Sequence, residues 1–307
     1  MKKLLFFLPF MCLFYVSEAK KADLLLNLEV GKSYQVQSLS NGTITQEMMG
    51  KAMTFDLLVS TSTQFTVTGK SADVYELELQ YTDLSMEMKN SQMNMTFSSD
   101  STDTSNPISI MLSKMKGQIA FMKINSKGKV LEMTGFAKII SSMVETLSNG
   151  QEPQRAQMIK QLQDAYGDEA MKNNLSSTFS ILPQKPVAVG DTWEFSQTIN
   201  QGTSLTIHST CTLKSEEEEV YTIVTVGKVL TPADAPAFEN AGMQMKMEMS
   251  GKSSSEIKLD KTTGWIVEGT GILDLTGIVT ILPSAQIPNN MEIPMTIKTT
   301  TSYTGEK

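Results

Sequence analysis

A pattern that occurs twice constrains this chain more than any other feature of its 307 residues. Val30-Gly31-Lys32-Ser33-Tyr34 returns as Val189-Gly190-Asp191-Thr192-Trp193, and each opens a run of alternating, strand-like residues. Lys123-Ile124-Asn125…Gly128-Lys129-Val130-Leu131-Glu132-Met133-Thr134-Gly135 returns as Lys258-Leu259-Asp260…Gly264-Trp265-Ile266-Val267-Glu268-Gly269-Thr270-Gly271, with no gap between the glycines. Alternation with period two is the signature of strands that bury one face. The expected fold is therefore mainly β with minor α: two duplicated antiparallel sheet units joined by a helical connector that packs on the sheets. Residues 20–135 form the first unit, 136–182 the connector and 183–307 the second unit.

Within the first unit, Tyr75, Leu77, Leu79 and Tyr81 share one face, opposed by Glu76, Glu78 and Gln80. That is a half-solvated antiparallel strand. Asn41-Gly42 and Gly69-Lys70-Ser71 read as turns. Pro107 suits the start of a short helix. A hairpin turns at Ser126-Lys127-Gly128.

In the connector, Phe136, Ile139, Ile140, Met143, Val144 and Leu147 make one apolar helical stripe ending near Gly150. A second helix starts at Pro153, with Ile159, Leu162 and Tyr166 inward, and a third is expected over 168–174. Six strands are expected after Pro186: 205–213, 220–226, 243–249, 254–260, 265–273 and 295–303. Glu216 to Glu219 is a solvated turn.

The N-terminus reads as a targeting segment. Lys2 and Lys3 precede an apolar run over 4–16, and Ser17-Glu18-Ala19 places small residues at −3 and −1 of a cleavage site. Thirteen apolar residues are too few to cross a bilayer, which takes ~20. The expectation is cleavage after Ala19 and export to the periplasm or beyond as a soluble protein without a transmembrane anchor. Only Cys211 would then remain, which excludes an internal disulfide. The net charge of −7 and the lack of a basic stripe exclude nucleic acid as a partner.

Leu182-Pro183-Gln184-Lys185-Pro186-Val187-Ala188-Val189-Gly190-Asp191-Thr192-Trp193 resembles the mid-chain segment of an uncharacterised exported family of Bacteroidota, a domain of unknown function with the pattern Pro-x-x-Pro-Val-x-Val-Gly-Asp-Thr-Trp. A signal peptide and a Gly-Lys-Val hairpin before that segment extend the resemblance. It implies an exported protein of this architecture and brings no catalytic residue.

Catalytic inventories come out short. His208 is the only histidine, three residues from Cys211 and hence on the opposite strand face, and there is no Gly-x-Ser-x-Gly elbow. A nitrogen-ligand zinc site is excluded by the same count. Gly-Lys-Ser at 31–33, 69–71 and 251–253 lacks the upstream glycine of a phosphate loop. No catalytic residue, metal site or cofactor is assigned.

The anomaly is methionine, 22 in all. Met86 with Met88, Met93 with Met95, and Met243, Met245, Met247 and Met249 recur in strand register, so each set lies on one face. Thioethers are flexible and polarizable and suit adaptable apolar surfaces. Two readings of them stand beside each other: a methionine-filled core beneath the helical connector, and a ligand-binding face for a lipid, another apolar ligand or a partner envelope protein, for which these eight are the candidate residues. The expected function is a non-enzymatic envelope protein. The alternatives are a hydrolase using a carboxylate pair between the two halves, and a copper(I)-binding protein using the thioethers.

Overall fold

The computed structural model describes residues 20–307 except 49, 104–105, 148–151, 202, 241 and 285–286. The targeting segment and Gly150 therefore lie outside the described residues. The strands are β1 (Ser33–Met48), β2 (Lys51–Ser71), β3 (Val74–Lys89), β4 (Asn94–Ser98), β5 (Ile119–Asn125), β6 (Val130–Thr134), β7 (Thr192–Gln201), β8 (Thr203–Glu216), β9 (Val220–Leu230), β10 (Phe238–Asn240), β11 (Met243–Asp260), β12 (Ile266–Ile281) and β13 (Met291–Glu306). The helices are α1 (Pro107–Met115), α2 (Phe136–Leu147), α3 (Glu152–Tyr166) and α4 (Asp168–Phe179).

All the strands join one antiparallel sheet, mainly β as expected, in the order β6-β5-β3-β2-β1-β13-β12-β11-β9-β8-β7. β4 adds to β3, and β10 to β11. The final strand, β13, lies between β12 and β1, so the two halves of the chain share one continuous hydrogen-bonded ladder. The end strands β6 and β7 stand ten strand spacings apart, ~48 Å in a flat sheet. Both nevertheless contact α4. The sheet is therefore curled, and α4 bridges its open edges.

Most strands run longer than expected, because glycine and serine do not interrupt them. Asn41-Gly42 is not a turn: it lies inside β1, with Gly42 opposite Leu57 and Thr299. Gly69 likewise sits at a bulge within β2, and the chain turns at Ala72 instead. The strands expected over 243–249 and 254–260 are one, β11. In a curled sheet the side chains of the inner face converge, and residues without a side chain relieve that crowding. Gly227, Gly251 and Gly277 all occupy inner positions; a Cβ on Gly277 would lie 2.7 Å from Met249 Sδ.

The helices follow their apolar spacing. Asn106 caps α1 by accepting hydrogen bonds from the N–H groups of Ile108 and Ser109, and Pro107 occupies its first turn. The α2 stripe Phe136, Ile139, Ile140, Met143 and Val144 is buried. The Phe136 N–H at the start of α2 donates to Asp168 Oδ1 at 2.8 Å, so the first turn of α4 satisfies the N-terminus of α2. Helix α4 extends to Phe179, beyond the expected end at 174. Tyr166 is exposed rather than inward: it closes α3, and Gly167 turns the chain away there.

One end of the curled sheet is a sealed floor. Trp265 is buried with Tyr34, Phe65 and Phe179 around it, ring centroids 5.1, 5.3 and 5.6 Å away. Leu24, Leu26 and Leu28 complete this core. Their segment is stitched between the two hairpins that match in sequence: Leu26 N–H donates to Ser126 O, and Asn27 N–H to Thr263 O, both at 2.8 Å.

Both hairpins use one device. A strand-ending side chain, Asn125 or Asp260, accepts backbone N–H bonds within its own turn, and a glycine with positive φ follows. A Cβ on Gly128 would lie 2.2 Å from Phe179 O, and one on Gly264 would lie 2.0 Å from Leu25 O.

Candidate functional site

Above the floor, the inner face of the sheet changes character row by row. Following the hydrogen-bonded ladder across the strands, one row reads Trp193, Cys211, Thr225, Ser255, Gly271, Thr301 and Ser40. The next reads Phe195, Ser209, Gly227, Ser253, Leu273 and Thr299. These two rows form a belt of hydroxyls and glycines, and several hydroxyls pair with each other, Ser40 with Thr301 at 2.8 Å and Thr225 with Ser255.

The third row turns apolar: Gln197, Ile207, Val229, Gly251, Leu275 and Ile297. Beyond it come Val279, Ile281 and Ile293, ringed by partly buried Met243, Met245, Met247, Met291 and Met295.

A cavity of about 260 Å³ opens over the belt, with Thr178 and Ile181 on the α4 side and β7, β8, β9, β11, β12 and β13 beneath. None of the described residues lining it is charged. More broadly, the described inner positions of β9, β11, β12 and β13 carry no Asp, Glu, Lys or Arg, whereas Lys246, Glu248, Lys252, Glu256 and Lys258 alternate on the outer side of β11. The outer side holds cross-strand ion pairs such as Lys214–Glu256 at 2.6 Å and Lys258–Glu268 at 3.3 Å. Charges are expensive against hydrocarbon, so the outer side faces water and the apolar side is turned inward.

Gln197 is the exception within the apolar row. Its Oε1 is buried and has no hydrogen-bond partner among the described residues, and its side chain lines the cavity. An unmet buried amide acceptor costs about 1–3 kcal/mol.

The eight methionines separate into two groups. Met249 is buried against Val229 and Leu275, and Met243, Met245 and Met247 continue from it on the same inner face. Met86 and Met88 lie half-buried on β3, opposite Val59 and Leu57 on one side and Phe97 and Met95 on the other. Met93 is not in strand register with Met95. It precedes β4 in a turn where Asn90 N–H donates to its carbonyl at 2.8 Å. Strands β2, β1, β13 and β12 stand between the two groups, and Met88 is level with Leu57, Gly42 and Thr299 rather than with the β11 methionines. Met291 and Met295 of β13, which strand alternation alone did not single out, join the β11 methionines.

The other chemical candidates are placed apart. Cys211 is fully buried on the inner face, and burial pushes its thiol pKa up to about 12. His208 is exposed on the opposite face, its Nδ1 2.8 Å from Ser196 Oγ. A second cavity of about 620 Å³, between α3 and β10, is lined by Asp164 and Glu239. Lys160 Nζ holds Asp164 at 2.6 Å, and Gln157 donates to Glu239 at 3.2 Å. Among the described residues no helix is long and apolar enough to cross a membrane.

A model of a protein family of unknown function, DUF6263, matches residues 72–266, more than half of the chain. The chain belongs to this family. The matched segment of the DUF6263 chain runs from the turn before β3 to the first residue of β12, so it holds the helices, β7 to β11 and much of the cavity. No curated protein matches it.

Among solved structures, the DUF6263 chain is similar to lipovitellin, in a structure of its lipid–protein interactions, at 8% identity and a TM-score of 0.48 over 92% of this chain. It spans 26% of lipovitellin's length. An outer membrane channel from Pseudomonas putida F1 is similar at 7% identity and a TM-score of 0.22, over 92% of this chain and 100% of the channel. A DUF1329 family protein from Desulfovibrio piger matches at 10% identity and a TM-score of 0.13, over 88% of this chain and 84% of its own. None of the three superposes closely enough to transfer a function.

Proposed function

We propose that this protein is a binding protein that holds an apolar ligand, a lipid in the first instance, on the inner face of its curled sheet. The observation that carries this reading is the sorting of side chains: charges lie outside, and an uncharged face with a cavity and a fringe of partly buried methionines lies inside. A protein that needed only a core would close this face with its own helices, as the floor is closed by α4 and the leucine segment. Ligand sites are concave, mostly apolar, and carry few polar groups. The β11 methionines, with Met291 and Met295, give that face an adaptable rim. Met86, Met88 and Met95 form a separate apolar fringe, which we assign to the same ligand-bearing face, and Met93, in the turn before β4, is left out of it.

The basic and apolar N-terminal segment supports a further part of the proposal, that the protein works after export, with Lys20 as its first mature residue. The mass of the protein isolated from its own cells tests this directly; a chain that retains residues 1–19 contradicts it.

The binding reading is tested by titrating purified protein with an apolar fluorophore such as N-phenyl-1-naphthylamine. Saturable enhancement at micromolar concentrations, reversed by added lipid, is expected. Flat titrations would remove it.

A further inference from the structure

Resting on that lipid-binding reading, we infer that the ligand is a neutral amphiphile: one long hydrocarbon chain ending in an uncharged group that donates a hydrogen bond, with that end seated at Gln197. Three observations converge. Among the described residues the cavity lining holds no charge, so none of them balances a carboxylate, phosphate or ammonium, and a bare charge in such a site is strongly disfavoured. The lining is nevertheless polar on one side, where Ser209, Thr225, Ser253 and Thr301 supply hydroxyls. Above them, Gln197 lines the cavity, and its Oε1 is buried with no donor among the described residues. Turned toward the cavity, that oxygen would be satisfied by a hydroxyl or amide N–H from a ligand.

The same cavity also opens onto the apolar face. Ile207 and Leu273 line it and also pack on the Val229–Met249–Leu275 cluster. Met247 and Met295 then link that cluster to the one around Val279, Ile281 and Ile293. From Ser253 to Met245 along β11 the track runs ~26 Å, longer than the ~15 Å of hydrocarbon in one bilayer leaflet. A single extended chain fits along it with its polar end at the belt.

Three competitors with one C18 chain separate the possibilities: oleyl alcohol, which donates; methyl oleate, which only accepts; and oleate, which is charged. Each is titrated against bound N-phenyl-1-naphthylamine. Oleyl alcohol is expected to displace the probe at three- to tenfold lower concentration than methyl oleate, and oleate to be the weakest. In Gln197→Leu, and in Gln197→Met of similar length, the advantage of the alcohol disappears while methyl oleate binds as before, which also shows that the site still folds.

Equal displacement by alcohol and ester, or oleate binding best, overturns the head-group assignment and leaves the lipid-binding reading standing. An alcohol preference that survives both substitutions overturns the role of Gln197. Displacement by none of the three removes both proposals.

Discussion

The indole N–H of Trp193, in edge strand β7, donates to the carbonyl oxygen of Ile181 at 2.9 Å. Through that bond the last strand of the sheet order grips the chain just after α4, while the hairpin of β5 and β6 grips the same point from the other side at Gly128. The closure of a curled sheet thus depends on one short segment, Phe179 to Leu182, held at both flanks. Trp193→Phe keeps most of the ring but removes the donor and leaves a carbonyl unpaired. It should lower unfolding stability by about 1–2 kcal/mol in urea titration.

The positive-φ glycines separate two kinds of cost. Gly31 has φ +86° with nothing within 4 Å of a built Cβ, so Gly31→Ala pays only the left-handed backbone penalty, about 1–2 kcal/mol. Gly264 has φ +68° and Leu25 O at 2.0 Å, so Gly264→Ala adds a clash that must displace the leucine segment from the floor. Its loss should exceed that of Gly31→Ala by at least ~1 kcal/mol. Equal losses would mean that the segment yields freely.

Asp260 links acid stability to the floor. Burial alone would raise its pKa, but hydrogen bonds from Lys307 Nζ, Thr263 Oγ1 and Thr263 N–H outweigh burial and hold the carboxyl below the usual range. A group with a depressed folded pKa stabilises fully above its unfolded pKa, and that contribution fades as pH falls through the folded value. Asp260→Asn should therefore cost about 1–3 kcal/mol at neutral pH. The gap to the parent protein should narrow once pH drops below about 4. Chemical denaturation across the acid range checks both limbs.

Cys211 offers a probe of opening. It is fully buried, with its thiol pushed up to about 12 by that burial, so the native protein should resist iodoacetamide at mildly alkaline pH and react promptly once unfolded. Rapid labelling of native protein would show that β8 separates from β7 and β9 far more readily than its pairing with both implies.

The strands with clean alternation were legible in the sequence. Tyr75, Leu77 and Leu79 are each 1% exposed, and the α2 stripe from Phe136 to Val144 is buried as its spacing requires. What misled was local chemistry overruled by curvature. Asn41-Gly42 and the run from Gly251 to Ser255 carry turn-like composition, yet a curled sheet wants small residues on its inner face. The signal was present as parity, because Gly269, Gly271, Leu273, Leu275, Gly277, Val279 and Ile281 all fall on one side of β12. The site was harder to read. Which residues share a row depends on the register of the antiparallel pairings that run from β7 to β13, shifted by bulges after Leu213 and Lys258, and no local pattern announces it. Gln197 and the hydroxyls that line the cavity become neighbours only through that register.

An apolar molecule held on the uncharged inner face is visible by native mass spectrometry of protein isolated from its own cells. A bound mass is expected that dissociates on mild activation, extracts into organic solvent as lipid, and is lost from Met247→Glu, which places a charge on the apolar track. A parent protein that flies only at its polypeptide mass and yields no extractable lipid would contradict that expectation.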